Sequence, residues 1–358
     1  MTDPRSWVES WKPTEAVKPP VPVVDVHSHT VVDSVAELVR PHFRPEDDPR
    51  TFYSSDTSKK LNQAFYREAA AKFVDPDHRV ADMDAMGVDV QLVAISPLQY
   101  FYWADETLSP RAAAEQNDAI AGLVASRPRR FVGVGTLPMA HPAAAAKEAR
   151  RVAQDLGFPA VEIGADVNGV DLDDPRFEPL WEALEENRLV VILHPAGFTE
   201  ARRLTDYYLV NVIGMPLSST VAVTRMILGG VFERHPGLEM LVVHGGGYLP
   251  FYAARTDHAF RHRPELRQHI DRLPSEYLRR LHFDITVFDP RMVERLVADY
   301  GADRVLVGTD YPFDMGLPDP LQLVASCRLT DSEKHLILGG NAERLFRLNR
   351  EGAAGSSQ

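Results

Sequence analysis

The sequence predicts an α/β protein, a (β/α)8 barrel with a long insertion after its first strand. Three observations carry this: short apolar, β-branched runs recur along the chain, helical patterns separate them, and chemically active residues stand where several runs end. Strands buried on both faces read as continuous apolar runs. Their alternation with helices indicates a closed barrel or, as the weaker alternative, a doubly wound open sheet.

The first run is Val23-Val24-Asp25-Val26, and residues 88–95 (VDVQLVAI) form the second. Phe131 to Leu137, Ala160 to Ile163, Leu189 to Leu193, Leu238 to Val243, Leu281 to Ile285 and Arg304 to Val307 complete a set of eight. Between them, Pro110 to Ala125 and His141 to Leu156 are rich in Ala, Arg and Glu, and Pro175 to Asn187 and Ser218 to Arg234 carry the i, i+3, i+4 spacing of amphipathic helices. Pro142, Pro175 and Pro290 fall where a first helical turn accepts proline. Two stretches interrupt the pattern, residues 31–75 and 197–216. Long loops after barrel strands lie on the catalytic face, so both are expected to shape a pocket.

Barrels of about 250 residues or more form one domain, so residues 1–350 are expected to be a single unit, followed by a disordered tail over 351–358. The net charge of −12 argues against nucleic acid and anionic membranes as partners, since both require basic patches. It leaves room for a small anionic substrate. The single cysteine, Cys327, permits no internal disulfide and reads as a packed thiol. Residues 1–22 hold no apolar targeting segment, so a cytoplasmic protein is expected.

The chemistry begins at His27-Ser28-His29. Strand alternation turns both imidazoles to one side, where they can share an ion. Alone this pattern is weak. His194 ends the fifth run, His244 the sixth, and Asp310 follows the eighth. Four strand ends thereby deliver metal-competent or acid–base groups to the rim where barrel active sites sit. Any one of them could be a hydrogen-bonded core residue; together they read as a site.

These residues carry a resemblance. The chain resembles the amidohydrolase superfamily, in its 2-amino-3-carboxymuconate-6-semialdehyde decarboxylase-like branch, from about Val23 to Asn349. The landmarks are residues 25–29 (DVHSH), 83–91 (MDAMGVDVQ), 135–138 (GTLP), His194-Pro195, Gly214-Met215-Pro216, 244–247 (HGGG), 308–313 (GTDYPF) and Gly340-Asn341-Ala342. The resemblance implies an amidohydrolase-type barrel with one divalent ion, Zn2+ or alternatively Mn2+, held by His27, His29, His194 and Asp310. It implies water at the open position, His244 as general acid/base with Asp310 beside it, and no organic cofactor. Members with two ions carry a bridging lysine on the fourth strand. This chain has Glu162 there, which favours one ion and offers a partner for a ligand imidazole.

Arg67 and Arg255 resemble the family's substrate-carboxylate arginines, the second contributed by the neighbouring subunit, which implies a homodimer. A guanidinium forks onto a carboxylate through two parallel hydrogen bonds. The chain departs from the family pattern at Ala196 and Asn211, where tryptophans are usual. Phe198, Tyr207, Tyr208 and Phe313 are candidates to line a different pocket. The expected reaction is non-oxidative decarboxylation of a small unsaturated or aromatic carboxylic acid; the alternative is metal-dependent hydrolysis or hydration of a lactone, amide or enol acid.

Overall fold

The computed structural model describes residues 19–44, 48 and 52–348, and eight parallel strands stand where the apolar runs place them. They are β1 (Val24–Asp25), β2 (Val90–Ile95), β3 (Phe131–Thr136), β4 (Ala160–Ile163), β5 (Val190–Leu193), β6 (Met240–Val242), β7 (His282–Asp284) and β8 (Val305–Leu306). Each pairs with the next in chain order, and β1 resumes as His29–Thr30 alongside Ala94 and Ile95 of β2. The ring closes between first and last strands. Val26 N–H donates to the Val307 carbonyl at 2.9 Å, Asp310 N–H to His27 at 2.9 Å, and His29 N–H to Tyr311 at 2.7 Å. The open-sheet alternative is thereby set aside.

Alternation divides the core in two. Val24, Val26, Leu92, Ala94, Val134, Ala160, Val190, Ile192, Leu241, Val243 and Leu306 pack together inside the barrel, with Leu345 and Phe346 against them. Their strand neighbours, among them Val93, Val161, Val191, Val242 and Val305, pack outward against the helices. Unbroken alternation from Val24 and Val26 would turn His27 and His29 away from the interior. Instead β1 is interrupted, with the Asp25 carboxylate accepting from His27 N–H at 3.1 Å, and both imidazoles reach the mouth.

The helices follow the proline signals. Pro142, Pro175 and Pro290 each lie in a first turn. The helix expected over Ser218 to Arg234 is split into Met215–Leu228 and Val231–Arg234. Gly230 breaks it at φ 76°, where an added Cβ would meet the His269 carbonyl oxygen at 2.9 Å. Val210–Leu228 has the length and apolarity to cross a membrane, yet half of it is buried within this fold. Residues 31–75 are not plain loop: their described part includes helices Asp33–Val39, Asp56–Glu68 and Ala70–Val74. The expected tail over 351–358 lies outside the described residues. Cys327 is buried, its thiol donating to the Leu323 carbonyl at 3.3 Å.

One buried histidine has a consequence for acid stability. His282 on β7 is buried beside the Arg304 guanidinium, 3.3 Å away. Burial, then Arg304, pushes its pKa from 6.5 down to about 4. A depressed folded value means the unfolded chain binds the proton first, so stability present above pH 6.5 is lost as pH falls towards 4. The loss is on the order of 2–3 kcal/mol. We expect His282→Gln to remove that share of the slope in denaturant titrations; parallel parent and variant curves would contradict it.

Candidate metal centre and its pocket

His27 and His29 come from the interrupted β1, His194 follows β5, and Asp310 lies beyond β8; all four are buried. One ligand atom from each lies within 4.8 Å of the others. Asp310 Oδ1 stands 3.1 Å from His29 Nε2, 3.3 Å from His27 Nε2 and 3.8 Å from His194 Nε2.

The four atoms fit a divalent cation. His27 Nε2, His29 Nε2, His194 Nε2 and Asp310 Oδ1 are buried and have no hydrogen-bond partner. Burying such atoms unpaired is costly, whereas three imidazoles and a carboxylate match the donor preferences of zinc and its neighbours. The far sides of two rings are anchored. His27 Nδ1 meets Asp284 Oδ2 at 2.7 Å, and His194 Nδ1 meets the Pro195 carbonyl at 2.9 Å. An acceptor at Nδ1 selects the neutral tautomer whose Nε2 lone pair faces the centre. Asp284 is itself held by Gly245 N–H at 2.8 Å and the Thr286 hydroxyl at 2.7 Å.

Electrostatics divide the ligands. Burial lowers the pKa of His29 to about 4 and puts that of His194 well below 6.5, so both are neutral ligands at neutral pH. Burial acts the same way on His27, but Asp310 and Asp284 outweigh it and hold its pKa well above 6.5. Carboxylates on both sides of the His27 ring mark a place where cationic charge is stabilised, which a metal ion can supply. Burial raises Asp310 too, yet His27 and the neighbouring imidazoles keep it well below 3.8 and ionised. Glu162 lies 3.7 Å from His29 Nδ1 and accepts from the Tyr100 hydroxyl at 2.9 Å. Burial pushes its pKa up to about 8, well above the usual carboxylate range.

His244 stands apart from the four. Its Nε2 lies 3.7 Å from Asp310 Oδ2, the oxygen turned away from the ligand cluster, and its side chain is 18% exposed. His244 and Asp310 are both held at positive φ, 55° and 58°. Such left-handed backbone in non-glycine residues is strained and recurs at functional sites. Gly245, Gly246 and Gly247 then turn the chain away. A Cβ on Gly245 would meet Val287 at 2.3 Å, and one on Gly247 the Pro216 carbonyl oxygen at 2.3 Å, so the triplet serves close packing.

Both His244 and Asp310 open into a cavity of about 600 Å³. Its wall includes Tyr66, Leu98, Tyr208, Val210, Asn211, Met215, Phe251, Phe288 and Phe313. Phe313 packs 5.2 Å from the His29 ring. Tyr208 lines the cavity as expected, whereas Tyr207 is 89% exposed and Phe198 packs beside Gly214. Ala196 lines a neighbouring aromatic groove rather than this cavity. Arg67 and Arg255 are not brought to the site within one chain: both are exposed, and Arg67 Nε donates to the Gln63 carbonyl at 3.2 Å. The Lys or Arg among the lining residues is Lys59, on helix Asp56–Glu68 with Asn62 and Gln63. Sequence reasoning missed Lys59 and Asp284. An acid closing the apolar run Leu281 to Ile285 at the same rim was the available signal for Asp284.

The amidohydrolase family model matches residues 24–348, nearly the whole described chain. The chain belongs to the amidohydrolase family. This amidohydrolase is 37% identical over 81% of its length to 2-amino-3-carboxymuconate-6-semialdehyde decarboxylase of Dictyostelium discoideum, covering 81% of that protein. That relative places it in the decarboxylase branch of the superfamily. It is similar to the crystal structure of 5-carboxyvanillate decarboxylase from Sphingomonas paucimobilis, with 27% identity and a TM-score of 0.82 over 92% of this chain and 100% of that one. A 5-carboxyvanillate decarboxylase from Novosphingobium aromaticivorans, solved with bound manganese, shares the fold at 23% identity and a TM-score of 0.81, over 92% and 98% of the two chains.

Proposed function

We propose that this amidohydrolase removes carbon dioxide, without oxidation, from an aromatic or unsaturated carboxylic acid. The observation that carries the reading is the separation of His244 from four unpartnered donor atoms, at the floor of a largely apolar cavity that His194, His244 and Asp310 line. His27, His29, His194 and Asp310 hold one divalent ion, with zinc the choice favoured by the donor set and manganese the alternative suggested by the solved relative. When bound, the ion supplies Lewis acidity that polarises a substrate oxygen and holds the acid in register.

The chain's own groups supply the rest. His244 delivers a proton to the carbon bearing the carboxyl group, and the new C–H bond makes the ring or diene an electron sink. The carbon–carboxyl bond then breaks, its electron pair returns to the ring or diene, and carbon dioxide departs; no organic cofactor enters the balance. Asp310 Oδ2 stabilises the imidazolium of His244 before transfer. Leu98, Met215, Phe251 and Phe313 exclude water and present apolar surface to a planar acid. Asn211 occupies part of that wall in place of the family's indole, so the substrate differs in size or polarity from a carboxymuconate. A coupled assay for carbon dioxide across a panel of aromatic and dienoic acids tests the reaction. Hydration or hydrolysis products without carbon dioxide would assign the alternative.

The substrate carboxylate needs a cation. Lys59 supplies one from the cavity wall, and a homodimer would add Arg255 from the partner's Leu249–His262 helix. We expect Lys59→Met to raise KM by about tenfold or more, the worth of a charge-assisted hydrogen bond, with a smaller change in kcat. An unchanged KM would assign the carboxylate to Arg255, and an elution mass for a monomer would remove Arg255 as well.

A further inference from the structure

Behind the metal ligands lies a charged network that the proposed reaction does not use. Arg79, on helix Pro76–Met86, is 1% exposed, an unusual burial for a guanidinium. Among the described residues it makes no direct ion pair with a carboxylate. Its NH1 donates to Gln91 Oε1 at 2.8 Å and lies 3.4 Å from the Ser28 hydroxyl. Its NH2 donates to the His29 carbonyl and, at 3.3 Å, to that of Lys72. Its carbon centre sits 4.9 Å above the Tyr311 ring.

The network continues through Gln91. With Oε1 accepting from Arg79, the amide must present Nε2 to the other side, and it donates to Asp25 Oδ2 at 2.8 Å. Asp25 also accepts from the Thr309 hydroxyl at 2.6 Å, Thr309 N–H at 3.0 Å and His27 N–H at 3.1 Å. The Thr309 hydroxyl accepts in turn from Tyr311 N–H at 3.2 Å. Every group from Arg79 to Asp25 thus has its direction fixed, and a buried positive and a buried negative charge are bridged by one amide. Its endpoints are the His27 amide, the His29 carbonyl and the two residues flanking Asp310. These are the backbones that carry three of the four ligands.

We propose that Arg79 is a positioning residue for the metal: through Gln91 and Asp25 it sets the separation of the β1 and β8 ligands. Buried charged groups, even when bridged as here, contribute little net stability, because desolvation offsets their attraction. What they supply here is a fixed register between two strand ends held together by few backbone hydrogen bonds. Lysine cannot replace Arg79, since one ammonium cannot fork to His29 and Gln91 while stacking on Tyr311.

The proposal rests on the reading that His27, His29, His194 and Asp310 bind an ion, and the experiment separates the two. Zinc and manganese affinities of parent, Arg79→Lys and Gln91→Met are measured by chelator competition, with circular dichroism and thermal melts of the metal-free forms. Gln91→Met spares the bonds of Arg79 to His29 and Lys72, and covers the case in which Arg79→Lys fails to fold. Outer-shell changes at metal sites weaken affinity by about 10- to 100-fold. We expect a loss of that size in each folded variant, and a double variant losing no more than the larger single loss. A folded variant binding within twofold of parent, or strictly additive losses, overturns the relay; a parent that binds neither ion overturns the metal reading itself.

Discussion

His244→Asn keeps one divalent ion per chain while kcat falls by a factor of about 10² to 10⁴, the usual worth of a positioned general acid. The separation follows from the geometry. His244 Nε2 is 3.7 Å from Asp310 Oδ2, whereas the four unpartnered donor atoms converge on the other side of that carboxylate, at Oδ1. Asparagine is the informative replacement, because position 244 has φ 55° and asparagine tolerates left-handed backbone better than most residues. Any loss of activity then reports the missing proton carrier rather than a disturbed turn. Metal content by elemental analysis, and steady-state rates at saturating substrate, check both halves. Loss of the ion in this variant would make His244 a ligand and remove it from proton transfer; an unchanged kcat would move the acid elsewhere in the cavity.

The barrel was legible because β-branched runs and proline-marked helix starts repeat along the chain, and those local signals agree with the fold. His27, His29, His194 and Asp310 were legible for a related reason: any one could be a hydrogen-bonded core residue, but several polar strand ends meeting at one rim read as a site. Asp284 obeys the same rule but was overlooked, since β7 is short and also carries buried His282, which blurs its apolar pattern. Lys59 was beyond reach. Helix Asp56–Glu68 turns Lys59, Asn62, Gln63 and Tyr66 towards the cavity, so a polar face looks inward and ordinary amphipathic reading reverses. Arg79 was invisible for a third reason. Its role depends on contacts 12 residues away at Gln91 and 50 away at His29, and sequence spacing carries no trace of them.

That dependence of ligand placement on distant parts gives ion removal a reach beyond the active site. Stripping the metal with a chelator abolishes turnover and lowers Tm by about 5 °C relative to enzyme with a large excess of ion. That shift combines about 4 kcal/mol of linkage at a thousandfold excess over Kd with about 1.3 °C per kcal/mol, from an unfolding entropy of about 2.1 cal/mol/K per residue over 358 residues. Without the cation, three buried imidazole nitrogens and one carboxylate oxygen lack partners, and their desolvation is no longer offset. Added zinc or manganese restores both activity and melting temperature in the parent. His194→Ala reproduces the stripped state but does not recover at ordinary ion concentrations, since it removes a ligand whose Nε2 has no other use. Full activity in a stripped sample, verified free of metal, would sink the assignment of these four residues to catalysis. A melting temperature indifferent to the ion, with activity still dependent on it, would instead mean that the barrel holds the ligands in place unaided, as a pre-formed site does.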